Sequence, residues 1–123
     1  MANLKRNMIK LVKNPKEAMK GAEIQFDTYW TSPFLPAEVT YEALDLADQM
    51  QDEEKAKKLK EKESAEMLEK FVVNKLYAGQ FTSSDLRKRF HGPDYMNMLQ
   101  DQVLFIAQGH QNDETKKFLE KKN

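Results

Sequence analysis

The chain has 123 residues, of which 40% are hydrophobic and 33% charged, and its 20 basic and 20 acidic side chains give a formal net charge of zero. This length suits one domain, 1–123, and the absence of cysteine excludes disulfides, thiolate metal sites and a cysteine nucleophile. No apolar run has the length of a secretory signal or of the roughly 20-residue membrane span, and zero net charge is not typical of a general nucleic-acid-binding protein.

The charges are unevenly distributed along the chain. Residues 1–22 form a basic N-terminal arm with six basic groups and one acidic group, whereas residues 23–54 carry nine acidic groups and no Lys or Arg. The opposite charges either face each other within the fold or lie on solvated faces, or else they steer head-to-tail self-association or the encounter with a charged partner.

The N-terminal third predicts short elements. Residues 8–12 are apolar except for Lys10 and form either a strand or an extended arm. Asn14 and Pro15 are typical of a helix start, and Gly21 would end that helix after barely two turns. Between residues 23 and 31, apolar and polar side chains alternate, which predicts a half-buried strand that the following prolines close.

Two longer helices are predicted next. Pro36 suits the first turn of an amphipathic helix that continues to about Glu54. The nearly all-charged segment 51–63 is either an exposed linker or a solvated helical extension. An apolar stripe then predicts a helix ending near Tyr77, before Gly79.

Helix boundaries are clearest in the last third. Thr82 and Asp85 have the spacing of a capping box and predict a helix at about 83–90, which a His-Gly-Pro turn ends. Asp94 is placed to cap a longer helix that stops at Gly109. The charged segment 112–123 predicts one more short helix with a frayed end.

These patterns predict a mainly α fold, a small domain of four to five helices with a short β element at about 23–31. No convergent polar set indicates catalysis. The sequence has no Gly-x-Ser-x-Gly elbow and no phosphate-binding glycine loop, and His91 and His110 lack metal-ligand spacing. We therefore expect no enzymatic activity, no metal and no cofactor.

A basic cluster leaves nucleic acid as a second hypothesis. Arg87, Lys88 and Arg89 precede a turn and a longer helix, as in a helix-turn-helix, so the chain could be a small DNA-associated regulator. However, the helix after the turn has no Lys or Arg, and cations at a helix C-terminus are common because they complement the helix dipole. We therefore do not expect nucleic acid as a partner.

Apolar side chains are the remaining candidates for function. We expect partner contacts on an aromatic stretch and on the C-terminal helix, at the following positions: Phe26, Tyr29, Trp30, Phe34, Leu35, Met98 and Phe105. Each of them could instead be core. A lone strand also lacks a ladder partner and favours self-association.

Taken in order, several segments resemble the tail assembly chaperones of long-tailed bacteriophages. These segments are LKRNMIKLV (4–12), EIQFDTYWTSPFLP (23–36), YEALDLADQM (41–50), YAGQFTSSDLRKRFHGPDYMNMLQDQVLFIAQG (77–109) and DETKKFLEKKN (113–123). The resemblance covers nearly the whole chain and is weakest at 51–63.

The resemblance implies a function in tail assembly. Such chaperones bind the tape measure protein, keep it soluble and help tail tube proteins polymerise around it in the host cytoplasm, and they are absent from the finished virion. In this family a longer product is commonly made by ribosomal frameshifting, and the final residues 121–123 are compatible with the A-rich codons that slippage requires.

Overall fold

The computed structural model describes residues 4–51 and 61–122. Within them the chain is mainly helical with one two-stranded sheet, which confirms the predicted fold class. The elements are β1 (Met8–Val12), α1 (Pro15–Met19), β2 (Phe26–Trp30), α2 (Ala37–Gln51), α3 (Glu61–Phe71), α4 (Ser83–Arg89), α5 (Tyr95–Gln108) and α6 (Asp113–Lys122). These six helices of the described residues exceed the predicted four to five, because the two short segments with helical patterns, α1 and α6, both form helices.

The sheet pairs β1 with β2 in antiparallel register, with Met8 opposite Trp30. Helix α1 connects the two strands and Gly21 follows it at φ +92°. The Asn14 side chain does not cap α1. Instead its amide donates to the Glu23 carbonyl at 2.9 Å and accepts from the Gln25 N–H at 2.9 Å, which closes the connection. The segment 8–12, which the sequence left open between strand and arm, is therefore a strand.

The core packs on the face of the sheet that carries Ile9, Leu11 and Tyr29. Helix α2 packs against α5, and α3 contacts both α4 and α5. Helix α3 continues as a π-helical turn, Val72–Leu76, and the chain reverses at Gly79 with φ +74°. Of the segment 51–63, Gln51 ends α2 and residues 61–63 begin α3, while 52–60 lie outside the described residues.

The cap of α4 agrees with the prediction and that of α5 does not. Thr82 Oγ1 accepts from the Asp85 N–H and Asp85 Oδ2 accepts from the Thr82 N–H, each at 3.0 Å, which is a complete capping box. Asp94 makes no side-chain cap bond, so the expectation of a cap there is wrong. A 3₁₀ turn, Gly92–Asp94, leads directly into α5 instead.

Helix α6 docks onto the sheet. Thr115 is fully buried, and its hydroxyl accepts from the Met8 N–H at 3.0 Å. The Phe118 ring meets Trp30 edge to face with centroids 5.4 Å apart, and Lys10 pairs with Glu114 at 3.2 Å. These contacts involve residues 114–118 of α6, and the frayed end that the sequence predicts for 112–123 stays a prediction.

Candidate protein-binding surface

An exposed apolar stripe follows the outer side of α2. Tyr41 and Leu44 lie three residues apart and are both exposed, Tyr41 to 70%. Phe34, 66% exposed, lies just before the helix. We call these three residues the α2 surface. They are out of phase with the buried side of the helix, where Val39 and Ala43 pack into the core, so α2 presents apolar side chains in two directions.

Acidic side chains accompany this stripe. Glu38 and Asp45 are exposed, and Asp48 follows Leu44 by one turn on the outer side. Helix α2 contains no Lys or Arg. Glu42, nearer to α3, forms a 3.7 Å ion pair with Lys75. The α2 surface is therefore apolar at its centre and negative along its border.

A shallow groove continues this surface towards α3. Its volume is about 370 Å³, and it is open to solvent. Asp45 belongs both to the groove and to the acidic border of the α2 surface. The groove is lined by Glu42, Asp45, Leu46, Lys70, Phe71, Asn74 and Lys75. An open depression of this kind suits the side chains of a helix better than it suits an enclosed small molecule.

A second exposed apolar group lies near the start of β2. It comprises Met19, Ile24 and Phe26, and Phe26 is 52% exposed. Met19 is the last residue of α1, and Phe26 is the first residue of β2. These side chains project from the connection between the two strands and not from the helical core.

The structure divides the seven predicted contact residues into three groups. Phe26 and Phe34 are exposed, and they remain candidates for partner contacts. Tyr29, Trp30 and Leu35 are partly buried. Met98 and Phe105 lie in the interior of this chain, on the side of α5 that faces the core, and form no part of its exposed surface.

The partly buried aromatics have partners within the chain. The Trp30 ring lies between Phe118 and the Arg6 guanidinium, which is 5.8 Å from the ring centroid. The Tyr29 ring contacts Phe81 edge to face at 5.0 Å. Both residues therefore hold the sheet to its neighbours, Trp30 to α6 and Tyr29 to the core.

Sequence reasoning missed Tyr41 and Leu44. The helical spacing could have revealed them, because Val39, Ala43 and Leu46 form one apolar stripe of this helix. Apolar residues that are out of phase with this stripe must lie on another side of the helix. Such residues indicate a second contact surface on the same helix.

The basic cluster on α4 is largely neutralised within the chain. Arg87 pairs with the buried carboxylate of Glu69 at 3.0 Å, and Arg89 pairs with Asp27 at 2.6 Å. The Tyr95 hydroxyl also donates to Glu69, and burial together with this bond raises the pKa of Tyr95. Two of the three cations proposed for DNA contacts are thus engaged in internal ion pairs.

Other polar chemistry in the interior is structural. The Tyr77 hydroxyl donates to Gln102 Oε1 at 2.6 Å, and burial raises the pKa of Tyr77. Among the described residues, no group of three or more His, Asp or Glu side chains is placed to hold a metal ion. None of the helices in the described ranges is long and apolar enough to cross a bilayer.

A family model matches this chain. The model of a family described as phage tail chaperone protein matches residues 3–123, which is nearly the whole chain. Comparison with curated proteins found no match, and neither did comparison with solved structures.

Proposed function

The chain belongs to the phage tail chaperone protein family, and from this premise we propose that it binds the tape measure protein, keeps it soluble and helps the tail tube to polymerise around it. The observation that carries this proposal is the α2 surface, an exposed apolar stripe on a helix whose opposite side is already committed to the core.

The physical properties of the α2 surface suit a helical client. A long amphipathic helix that has not yet been packed exposes apolar stripes and aggregates unless they are covered. Tyr41, Leu44 and Phe34 offer a shallow apolar contact for such a stripe, and Glu38 and Asp45 keep its border solvated. Several copies along one client would add their weak contacts through avidity.

The other features of the proposal follow from the same role. A chaperone of this kind covers protein surface, so it needs no catalytic group and no cofactor. We propose that it acts in the host cytoplasm during assembly, associates with further copies of itself, contacts tail tube protein together with the tape measure protein, and is left out of the virion. A longer frameshifted product from the same gene also belongs to this proposal.

The alternative of a DNA-associated regulator has little support. Arg87 is paired with Glu69 and Arg89 with Asp27, and of this cluster Lys88 alone forms no ion pair with another described residue. Phosphate contacts would give binding to duplex DNA that falls steeply with salt. We expect no detectable binding even at low salt.

Substitutions on the α2 surface test the main proposal. Tyr41→Asp combined with Phe34→Asp should reduce co-purification of tape measure protein at least tenfold, because the buried apolar contact becomes charged. Met96→Asp is the matched control: this residue is also an exposed apolar side chain, 40% accessible, but lies on α5, so binding should persist. Circular dichroism should show unchanged helical content in both variants.

Equal loss of binding in both variants would contradict the assignment to α2, and undiminished binding in the double variant would do so as well. Trp30→Asp is a less specific test, because Trp30 contacts Phe118 and Arg6. We expect it to detach α6 as well as to affect binding.

A further inference from the structure

The two edges of the sheet can be distinguished by their backbone hydrogen bonds. The Thr31 N–H donates to the Asn7 carbonyl at 2.9 Å and the Lys13 N–H donates to the Gln25 carbonyl at 2.7 Å. In an antiparallel ladder these bonds recur at every second residue. The outward-pointing groups therefore belong to Met8, Lys10 and Val12 on β1 and to Phe26, Thr28 and Trp30 on β2.

The two ends of the β1 edge are occupied by side chains of the helical part. The Met8 N–H donates to the Thr115 hydroxyl. The Met8 carbonyl accepts one hydrogen bond from Gln102 at 3.2 Å and another from Asn112 at 2.8 Å. The Val12 carbonyl accepts from Arg89 Nε at 2.8 Å. Side chains that occupy edge groups in this way prevent another strand from pairing there.

The β2 edge is open. Among its outward backbone groups, the Trp30 carbonyl accepts a hydrogen bond from the exposed Gln80 side-chain amide at 2.7 Å. The outward N–H and C=O groups of Phe26 and Thr28 form no hydrogen bond in the described part of the chain, and both residues are exposed. Lysine, the usual protection of a free edge, is absent from the entire segment 23–54.

The sequence of β2 is complementary to itself. When two antiparallel copies of Phe26–Trp30 are centred on Thr28, Thr28 lies opposite Thr28 of the second copy and Phe26 lies opposite Trp30 of the second copy. The outward backbone groups of all three residues then meet in hydrogen-bonded pairs, with the Phe26 N–H of the second copy taking the place of the exposed Gln80 amide at the Trp30 carbonyl. Threonine pairs and aromatic pairs are among the favourable cross-strand contacts.

Charge does not oppose this register. The single ionisable acid of the strand, Asp27, would face Tyr29 of the second copy and not another carboxylate. Asp27 is also paired with Arg89 of its own chain at 2.6 Å, so its charge is compensated. Like charges directly opposite each other, which would destabilise the pairing, do not arise.

We propose that a second copy of this chain pairs with the β2 edge, giving a four-stranded sheet with two-fold symmetry about Thr28. This deepens the self-association included in the proposed function and does not depend on the tape measure protein. It can be tested on the isolated full chain, so its failure is distinct from a failure of client binding.

A single cysteine tests the register directly, since the chain has no cysteine of its own. Residues opposite each other in such a pair have Cα atoms about 5.5 Å apart, within the range a disulfide spans. Thr28→Cys should therefore form a covalent dimer under mild oxidation at least tenfold faster than Ser84→Cys, which places the thiol on the exposed side of α4.

Sedimentation equilibrium provides the second measurement. The wild-type chain should dimerise, and Thr28→Lys should weaken dimerisation at least tenfold because two ammonium groups would meet on the symmetry axis. Thr28→Val, which keeps a β-branched side chain, should remain dimeric. The Thr28 side chain is exposed and its backbone groups point away from β1. The Cys, Lys and Val variants at this position should therefore all retain the wild-type helical content by circular dichroism.

Two results would overturn the proposal. One is a wild-type chain that stays monomeric at 100 µM, roughly the concentration at which a weak dimer still forms. The other is equal cross-linking of the Thr28→Cys and Ser84→Cys variants, which would assign any association to another surface.

Discussion

At the scale of single residues, buried polar groups join the two ends of the chain. Asn7 Nδ2 donates to Gln102 Oε1 at 3.2 Å, and Thr115 Oγ1 donates to Asn7 Oδ1 at 2.9 Å. No buried side-chain nitrogen or oxygen in the described residues lacks a partner. Because an unsatisfied buried group costs about 1–3 kcal/mol, this set of bonds specifies one arrangement of the termini.

The capping box of α4 should make stability depend on pH. The Asp85 carboxylate accepts a hydrogen bond from the Thr82 backbone N–H, and this bond lowers the pKa of Asp85 in the folded chain. Asp85→Ala should cost about 0.5–1 kcal/mol at neutral pH. This difference in unfolding free energy between the wild type and the variant should be complete above the pKa of Asp85 in the unfolded chain, about 3.9. It should disappear as the pH falls through the lower pKa that Asp85 has in the folded chain. Urea unfolding at several pH values measures it.

Ser84→Ala is the control for this measurement, because it changes the neighbouring residue of the same turn without removing a titratable group. A difference for Asp85→Ala that remained constant down to the lowest pH would contradict the assigned role of the carboxylate.

At the scale of elements, α6 is held to the sheet mainly by polar contacts. Thr115 anchors it to Met8, and Asn112 Nδ2 donates to the Met8 carbonyl. The Phe118 ring adds an apolar contact with Trp30. Helix α6 therefore depends on a few specific bonds, and loss of one should be felt along its whole length.

Thr115→Val tests this dependence. It leaves the Met8 N–H without its acceptor in a buried site and should lower the free energy of unfolding by about 1–3 kcal/mol. Trp30, the only tryptophan, should show red-shifted fluorescence as α6 loosens. Lys116→Ala, at an exposed neighbouring position, should leave both signals unchanged, and an unshifted Trp30 spectrum in the Thr115 variant would contradict the account.

The elements that could be predicted from sequence depend on interactions within a few residues. The capping box at Thr82, the helix start at Pro36 and the helix end at Gly109 are of this kind. Contacts that join distant parts of the chain could not be predicted. The pairing of 8–12 with 26–30 and the docking of Thr115 depend on which surfaces meet after folding.

The candidate site was predicted less well for the same reason. Phe34 and Phe105 are both apolar residues next to or within a helix, yet one is exposed and the other is buried. Composition and spacing alone do not distinguish a core position from a binding position. They do so only where a helix carries a second apolar stripe out of phase with the first, as α2 does at Tyr41 and Leu44.

At the scale of the whole molecule, the charge blocks are only partly neutralised within the chain. Lys10 of the basic arm pairs with Glu114, and Asp27 of the acidic block pairs with Arg89. The carboxylates of α2 largely remain at the surface, where Glu38 and Asp45 are exposed. The two proposed contacts use different elements, the apolar and negatively bordered helix α2 and the open edge of β2.

Co-expression of the chain with its tape measure protein tests the proposed chaperone function, with the soluble fraction of the tape measure protein as the measurement. We expect the wild-type chain to keep most of it soluble and bound, whereas the variant combining Phe34→Asp with Tyr41→Asp, though folded, should leave it in the pellet. Equal solubility of the tape measure protein with the wild-type chain, with this variant and with no chain at all would contradict the account.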